Sequence, residues 1–292
     1  MPSLEALLAS PIDVEAVVTN PDRPAGRGMR VTPSPVKSRA LEAGLPVIQP
    51  ASARDSELLA SLRDMGPDVA TVVAYGKILP PELLAVPRLG FVNVHFSLLP
   101  LYRGAAPVQR AILDGRTETG VTIMALTEGM DEGPMLTAEI VPIHPEDTAG
   151  TLGERLACVG APLLVRTLDE LEDGAIEPRP QDASEATYAP KVSADEARLD
   201  WSKPSEEIAR RVRALNPEPG AWTTLGDRRL KVHRVAPIPG RRAPGEIVSD
   251  GALVAGTGDG SLALEEVQPA GGRRMTGAEL ARGLHTDAAA LV

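Results

Sequence analysis

Short runs of apolar, mostly β-branched residues alternate with amphipathic segments along the first half of the chain. The runs predict strands buried on both faces, which is typical of parallel strands covered by helices, at VEAVVT (14–19), DVATVVAY (68–75), FVNVHF (91–96) and GVTIMAL (120–126). The segments between them predict helices: LEALLAS, PVKSRALEAG, SELLASLRDMG and PVQRAILDG. A longer helix is expected over 148–172, with Thr148 as its N-cap. This order predicts an α/β layer fold with a mostly parallel sheet and crossover helices.

The pattern changes after about Gln181. Residues 183–202 lack strong periodicity and are interpreted as a linker between a domain at 1–182 and a second domain at 203–292. The second domain opens with a predicted helix, SEEIARRVRALN, and continues with five short predicted strands: AWTTL, RLKVHRV, GEIVS, ALVAGT and SLALEEVQ. Such closely spaced strands predict a small β-barrel or sandwich. The glycine-rich GTGDG at 256–260 lies between two of them and is expected to be a hairpin turn rather than a nucleotide loop.

Several classes of protein are disfavoured by what the chain lacks. Its one cysteine, Cys158, excludes an internal disulfide framework and a thiolate metal cluster, and we expect a buried, inert thiol. The four histidines form no H-E-x-x-H pattern, so no metal site is expected. No apolar run has the length of a membrane span, and acidic residues in the first twenty positions argue against a signal peptide. We expect a cytoplasmic protein without a membrane partner.

The charge is uneven along a chain whose net charge is −10. Residues 23–40 contain five basic and no acidic residues: Arg23, Arg27, Arg30, Lys37 and Arg39. Residues 208–245 contain nine basic residues against Glu218 and Asp227, a net charge of +7. Two basic windows on an acidic chain indicate a localised contact with a polyanion, although two solvated surfaces would give the same composition.

Three polar residues are candidates for chemistry. Asn93 and His95 are two apart in a predicted strand and therefore share a face, and Asp131 lies in the turn GMDEG (129–133) after the next strand. In open α/β sheets ligands bind beyond the carboxyl ends of strands. A capping Asn, a partly buried His and a turn Asp would explain each residue singly. Together they suit acyl transfer, in which Asn and His N–H groups stabilise an oxyanion and the carboxylate orients the imidazole or accepts a proton. A hydrolase using Ser97 lacks the G-x-S-x-G elbow.

The segments NVHFSLLPLYRGAAPVQRAILDGRTETGVTIM and GMDEGPML resemble the formyltransferase family that uses 10-formyltetrahydrofolate. NPDRPAGRGMRVTPSPVK (20–37), VVAYGKILP, AGTLGERL, EARLDW and RALNPEPGAW are similar to the branch that formylates methionyl-initiator tRNA. The resemblance covers essentially the whole chain. It implies a Rossmann-like catalytic domain followed by an OB-like β-barrel that binds tRNA, a formylfolate co-substrate, no metal, and a monomer.

The resemblance also implies roles for individual residues. The catalytic residues would be Asn93, His95 and Asp131. The formylfolate pocket would be lined by Ser97, Leu98, Leu99 and Pro100, with 73–79 beside it. Arg27, between Gly26 and Gly28, would enter the acceptor end of the initiator tRNA, and Arg23, Arg30 and Lys37 would contact it.

The chain departs from the family pattern at both ends. Family members open with a strand and a small-residue loop before the helix that here begins at Pro2, and that strand would be an inner strand of the sheet. Either a start lies upstream or the chain is a weakened version. The tail after Met275 shows no obvious final helix. Two alternatives stay open: formyl transfer to another amine, such as that of a nucleotide sugar, and an RNA-binding module with impaired catalysis.

Overall fold

The computed structural model describes residues 1–25, 30–249, 251–283 and 290–291. The chain forms two compact units, one of residues 1–105, 119–141 and 154–189, the other of residues 106–118, 142–153 and 190–292. The helices are α1 (Pro2–Leu8), α2 (Pro35–Glu42), α3 (Ser56–Met65), α4 (Pro81–Leu84), α5 (Pro107–Leu113), α6 (Ala149–Glu172), α7 (Ser205–Ala214) and α8 (Gly277–Arg282). The strands are β1 (Val17–Val18), β2 (Arg23–Ala25), β3 (Arg30–Thr32), β4 (Val47–Ile48), β5 (Ala70–Val72), β6 (Phe91–His95), β7 (Glu118–Ala125), β8 (Met135–Pro142), β9 (Ala221–Leu225), β10 (Arg228–Ile238), β11 (Ile247–Ser249), β12 (Leu253–Gly256), β13 (Ser261–Pro269) and β14 (Met275–Thr276).

The first unit contains the expected α/β sheet, divided into separate pieces. Strands β5, β6, β7 and β8 form one sheet in that order, and β1 pairs with β4 in another. The pairs β1–β4 and β5–β6 are parallel, as predicted. The expectation that 120–126 is a parallel strand is wrong, because β7 runs antiparallel to β6. Six successive residues of β7 are nonetheless buried, so a continuous apolar run reveals that a strand is covered on both faces but not its direction.

Helix α6 packs closely on the sheet of the first unit at a glycine. A Cβ at Gly160 would lie 3.0 Å from methyl carbons of both Val94 on β6 and Val121 on β7. Both valines are buried. The helix begins as predicted after Thr148, whose hydroxyl oxygen accepts a hydrogen bond from the Thr151 N–H at 3.1 Å. Gly160 therefore fixes how near the helix comes to the two strands.

We expect Gly160→Leu to lower the free energy of unfolding by about 1–3 kcal/mol, because the new side chain overpacks the contact with β6 and β7. Gly153→Leu is the matched control in the same helix, since nothing lies within 4 Å of a Cβ at that position. This variant should be neutral or slightly stabilising, because glycine is a poor helix former. Urea denaturation followed by circular dichroism measures both. Equal losses in the two variants would contradict the assigned packing role.

The second unit is built on a β-sheet whose strands follow the order β11, β12, β13, β10, β9, with β14 beside β13. Its core contains Leu199, Trp201, Leu230 and Leu262, all buried, and Ile208 of α7 belongs to the same cluster. All five predicted strands and the GTGDG turn are present. No pair between β11 and β9 closes the sheet among the described residues, so the expected barrel is observed as an open sheet.

Two expectations about smaller features are wrong. Cys158 is exposed rather than buried, because it lies on the side of α6 that faces away from the sheet, between the buried Leu156 and the tightly packed Gly160. The chain does have a helix after Met275, α8, which begins with a capping box. The Thr276 hydroxyl accepts from the Glu279 N–H, and the Glu279 carboxylate accepts from the Thr276 N–H at 2.8 Å.

Within the described residues no helix is both long and apolar enough to cross a membrane.

Candidate active site

The candidate site is built on β6, an interior strand of its sheet. Asn93 pairs with Val72 on one side and Met124 on the other, so its backbone position is fixed by both neighbouring strands. His95 lies two residues further along the same side and is 5% exposed, whereas Asn93 is half-buried. Within the described part of the chain no hydrogen bond engages the Asn93 carboxamide, so this group is available to a ligand.

Both ring nitrogens of His95 have defined neighbours. Nε2 lies 2.9 Å from the carbonyl oxygen of Tyr102, and since a carbonyl only accepts, Nε2 carries the proton. Nδ1 lies 3.7 Å from Oδ2 of Asp131. Burial lowers the pKa of His95, while the Asp131 carboxylate and the Tyr102 carbonyl act in the opposite direction. The neutral ring with its proton on Nε2 therefore presents Nδ1 beside the Asp131 carboxylate.

Asp131 is held by one hydrogen bond to its carboxylate and one to its backbone carbonyl. Oδ2 accepts a hydrogen bond from the Gly104 N–H at 2.8 Å, and the Asp131 carbonyl accepts one from Gln181 Nε2 at 2.9 Å. The residue has φ +53°, a left-handed conformation that Asp tolerates better than most residues. At Gly104, where φ is +113°, a Cβ would lie 3.0 Å from the Ala189 carbonyl oxygen. No pattern in the sequence points to Gln181, and Gly104 stands out only as part of RGAAP.

The loop 97–100 is held rigidly beside β7. The Ser97 hydroxyl donates to the Leu101 carbonyl at 2.6 Å, and the Thr122 hydroxyl donates to the Ser97 carbonyl at 2.7 Å. Leu99 is buried and the Leu99–Pro100 peptide bond is cis. Because the Ser97 hydroxyl is fully buried and donates to a carbonyl, it is not placed as the nucleophile of a hydrolase.

The first basic window is described only in part. Arg27 lies outside the described residues, as do Gly26 and Gly28. Arg23 is exposed on β2, and Arg30 begins β3, which pairs with it as an antiparallel hairpin. Lys37 makes contacts within the protein: its Nζ lies 2.6 Å from Asp22 Oδ2 and donates to Gln49 Oε1. Gln49 Nε2 in turn donates to Asp22 Oδ1. The hydrogen bond from Lys37, and after it the one from Gln49, lowers the pKa of Asp22. Lys37, on α2, therefore holds the chain at Asp22, just before β2.

The second basic window is partly neutralised by acids from outside it. Arg210 and Arg213 lie 3.7 and 4.0 Å from Glu206, and Arg234 pairs with Glu265 at 2.7 Å. Arg228 and Arg229 on β10 are exposed and form no ion pair among the described residues. The Arg229 guanidinium lies 4.0 Å from the centre of the Trp222 ring. Arg228 and Arg229 therefore place two guanidinium groups without a carboxylate partner, among the described residues, on the β9–β10 hairpin.

The described residues contain no group of three or more His, Cys, Asp or Glu side chains that could hold a metal ion. The site instead offers a proton acceptor, His95 Nδ1, with the Asp131 carboxylate beside it to stabilise an imidazolium. The Asn93 carboxamide adds a hydrogen-bond donor. This set suits the transfer of an acyl group to an amine, in which a proton must leave the nucleophile while charge develops on a carbonyl oxygen.

Comparison with known proteins places both the N-terminal and the C-terminal part of the chain in one family. Residues 4–168 match a family model described as formyl transferase, and residues 191–285 match that of the formyl transferase C-terminal domain. The chain is 47% identical over 290 residues to a methionyl-tRNA formyltransferase of Frankia alni, covering 97% of this chain and 88% of that protein. It is 48% identical over 296 residues to one of Heliobacterium modesticaldum, covering 97% and 93%.

Solved structures with a similar fold are more distant in sequence. A HypX variant from Aquifex aeolicus has a TM-score of 0.69 at 19% identity, covering 94% of this chain and 49% of that one. WlaRD, a sugar 3N-formyl transferase, has a TM-score of 0.67 at 18% identity, covering 90% and 92%. At such identities the likeness concerns the fold alone.

Proposed function

Since the chain belongs to the formyl transferase family, we propose that it transfers a formyl group from 10-formyltetrahydrofolate to the α-amino group of methionyl-initiator tRNA. The observation that carries the chemistry is the buried His95, whose Nε2–H is bound by the Tyr102 carbonyl and whose Nδ1 faces Asp131. The relatives at 47% and 48% identity over 97% of the chain support the methionyl-tRNA substrate over other amines.

In the proposed reaction His95 moves the proton. The α-amine of an aminoacyl group has a pKa of about 8, so part of it is neutral and nucleophilic at pH 7. As its nitrogen bonds to the formyl carbon, His95 Nδ1 accepts the amine proton, and Asp131 stabilises the imidazolium. The same Nδ1–H then donates the proton to the folate nitrogen as the bond from that nitrogen to the formyl carbon breaks. His95 thus ends neutral, as it began.

Asn93 is proposed to stabilise charge on the formyl oxygen. Its carboxamide N–H is the donor available on the His95 side of β6 and costs no rearrangement when the charge develops. Ser97, Leu98, Leu99 and Pro100 are proposed to line the folate pocket. The hydrogen bonds from the Ser97 hydroxyl to the Leu101 carbonyl and from the Leu99 N–H to the Thr122 hydroxyl oxygen fix the shape of this loop.

The tRNA contacts are proposed on both basic windows. In the first basic window, Arg23, Arg27 and Arg30 would contact the acceptor end of the tRNA. Lys37 would not contact it, because it is paired with Asp22. In the second, the β9–β10 hairpin would contact the backbone through Arg228 and Arg229. We further propose a boundary between catalytic and tRNA-binding regions at 183–202, a monomer, and a cytoplasmic location.

The formyl transfer itself is tested with purified chain, 10-formyltetrahydrofolate and initiator tRNA charged with methionine. Parallel reactions contain uncharged tRNA or a nucleotide amino sugar. Mass spectrometry of the released amino acid should detect N-formylmethionine only with the charged tRNA. Formylation of the sugar alone would favour the sugar-amine alternative, and binding of tRNA without formylation would favour an impaired RNA-binding protein.

For the second basic window, we expect Arg228→Gln/Arg229→Gln to raise the KM for tRNA about tenfold or more. The slope of log K for tRNA binding against log salt concentration should become shallower by the equivalent of about one to two phosphate contacts. The KM for the folate should not change. Fluorescence anisotropy with labelled tRNA at several salt concentrations measures the slope. The matched control is Arg234→Gln/Arg274→Gln, which removes two arginines that are already paired with Glu265 and Glu266. Similar effects of both double variants would argue for a diffuse charge effect.

A further inference from the structure

His95 Nδ1 and the Asp131 carboxylate face each other without a hydrogen bond between them. The two atoms are 3.7 Å apart, which is beyond hydrogen-bonding distance. With the His95 proton on Nε2, where it meets the Tyr102 carbonyl, both facing atoms are hydrogen-bond acceptors. Two acceptors do not attract each other, so this contact cannot hold the carboxylate in place while the ring is neutral. Other groups must hold Asp131 there.

The Asp131 carboxylate has one anchor of its own, the Gly104 N–H at 2.8 Å. A single hydrogen bond fixes Oδ2 but not the course of the chain that carries it. In that chain Asp131 has φ +53°, a left-handed conformation that is uncommon for residues other than glycine. A residue in such a conformation keeps it only where the surrounding contacts enforce it. The backbone of the turn therefore needs a second restraint.

Gln181 supplies that restraint by bonding the turn at two carbonyl groups. Its Nε2 donates to the Asp131 carbonyl at 2.9 Å and to the Gly133 carbonyl at 2.7 Å. These carbonyls lie on either side of Glu132, so the two hydrogen bonds span the turn. Gly133 is also packed so closely that a Cβ there would overlap the Ala125 carbonyl oxygen. The Gln181 side chain thus fixes the backbone that carries the Asp131 carboxylate.

Arg103 determines which way round the Gln181 carboxamide lies. Its Nε donates to Gln181 Oε1 at 2.9 Å. A guanidinium only donates and a carbonyl only accepts, so Oε1 faces Arg103 and Nε2 faces the turn. An amide turned the other way would lose all of these hydrogen bonds. Because Arg103 is buried, leaving its Nε without this acceptor would be costly, which further favours the observed orientation.

The chain segment that carries Gln181 is paired at both ends. Met135 and Arg179 exchange two backbone hydrogen bonds of 2.8 and 2.9 Å, and the Ala189 N–H donates to the Arg103 carbonyl at 2.7 Å. All of these residues belong to the first unit. The main chain therefore brings the guanidinium, the carboxamide and the turn together before any side chain of the site is placed.

We propose that Arg103, acting through Gln181, is a positioning residue that holds the Asp131 carboxylate against His95 Nδ1. Three consecutive residues then organise the site, since the residue before Arg103 bonds the imidazole and the residue after it bonds the carboxylate. The value of this arrangement to the reaction rests on the proposed function. The positioning itself is measured on the chain without substrates.

The titration of His95, followed by NMR of the chain labelled with ¹⁵N-histidine, reports where the carboxylate lies. Burial lowers the pKa of His95 and the Asp131 carboxylate opposes this, so a carboxylate that moves away lowers the pKa further. Asp131→Asn defines the full fall. We expect Gln181→Met, which removes both donors and the acceptor, to produce about half of that fall or more. The double variant should fall no further than Asp131→Asn alone, because both changes act on one contact.

Arg103→Met separates positioning from a direct effect of charge. Removing a cation favours protonation of a nearby imidazole, so a direct charge effect would raise the pKa of His95. Loss of positioning lowers it. We therefore expect the pKa of His95 to fall in Arg103→Met, and to fall no further when this change is added to Gln181→Met.

The matched control is Gln268→Met, which removes a glutamine with a similar arrangement in the other unit. Gln268 Oε1 lies 3.2 Å from His233 Nε2, and its own Nε2 donates to the Gly272 carbonyl at 3.1 Å. Burial lowers the pKa of His233 and the Gln268 hydrogen bond opposes this. The control should therefore lower the pKa of His233 and leave that of His95 unchanged, whereas Gln181→Met should do the reverse.

Circular dichroism of each variant shows whether it is folded. Should Gln181→Met not fold, Gln181→Asn takes its place. This variant keeps a carboxamide that is one methylene group too short to reach from Arg103 to the turn. We expect it to lower the pKa of His95 in the same direction.

Three results would overturn the proposal. The first is an unchanged pKa of His95 in a folded Gln181 variant, and the second is a full sum of the separate falls in the Asp131→Asn/Gln181→Met double variant. The third is a rise of the pKa of His95 in Arg103→Met, which would assign the guanidinium a charge effect instead. Because the titrations contain no substrate, a chain that failed to transfer formyl groups would contradict the proposed function and leave these results standing.

Discussion

His95→Gln is expected to lower kcat/KM for formyl transfer about 10²- to 10⁴-fold, the range that removal of a positioned proton acceptor produces. The glutamine amide can still donate to the Tyr102 carbonyl, so the strand end and the following loop should keep their structure. What it lacks is a nitrogen that can accept and return a proton beside Asp131. Steady-state assays with charged initiator tRNA measure the loss.

The matched control is His144→Gln, which makes the same change at an exposed histidine of the other unit. It should leave activity within about twofold, as expected for a surface site. Thermal unfolding of both variants should stay close to that of the unsubstituted chain. If His95→Gln retained activity within threefold, the proton-transfer role would have to be given up.

The location of secondary structure was predictable because its signals are local. β9 was predicted at its observed bounds, and Thr148 was recognisable as an N-cap from sequence alone. The direction of β7 was not predictable, since burial on both faces gives parallel and antiparallel strands the same apolar run. Helix α8 is hard to recognise from sequence although Thr276 and Glu279 carry the capping-box spacing, because the helix has only 6 residues.

Sequence predicts the parts of the candidate site that depend on side-chain type and spacing, but not the contacts made by backbone atoms. The spacing of Asn93 and His95 placed them on one face, and the glycines around Asp131 marked a turn after a strand. The groups that orient His95 and Asp131 are backbone atoms, the Tyr102 carbonyl and the Gly104 N–H, whose presence is not tied to a particular side chain. The basic windows were overcounted for a related reason, because partners such as Glu206 and Glu265 lie outside them.

Asp131→Asn is expected to lower kcat about 10²- to 10³-fold, because a neutral amide stabilises the imidazolium form of His95 far less than a carboxylate does. The amide oxygen can still accept from the Gly104 N–H, so the turn should persist. The KM for the folate should change little. A structural collapse of the turn would instead lower thermal stability and raise both KM values together.

The pH profile distinguishes this role from a structural one. His95 must be neutral to accept a proton, so activity rises with pH through its pKa, which burial holds below the usual value of about 6.5. Asp131 opposes that lowering, so its removal lowers the pKa of His95 further and moves the acid limb of kcat to lower pH. Asp131→Asn thus has a lower maximal kcat than the unsubstituted chain. At acidic pH, however, it keeps a larger fraction of its own maximal kcat than the unsubstituted chain does. Activity that instead fell with rising pH through the pKa of His95 would mean that the protonated imidazole is the active form and would exclude His95 as the proton acceptor.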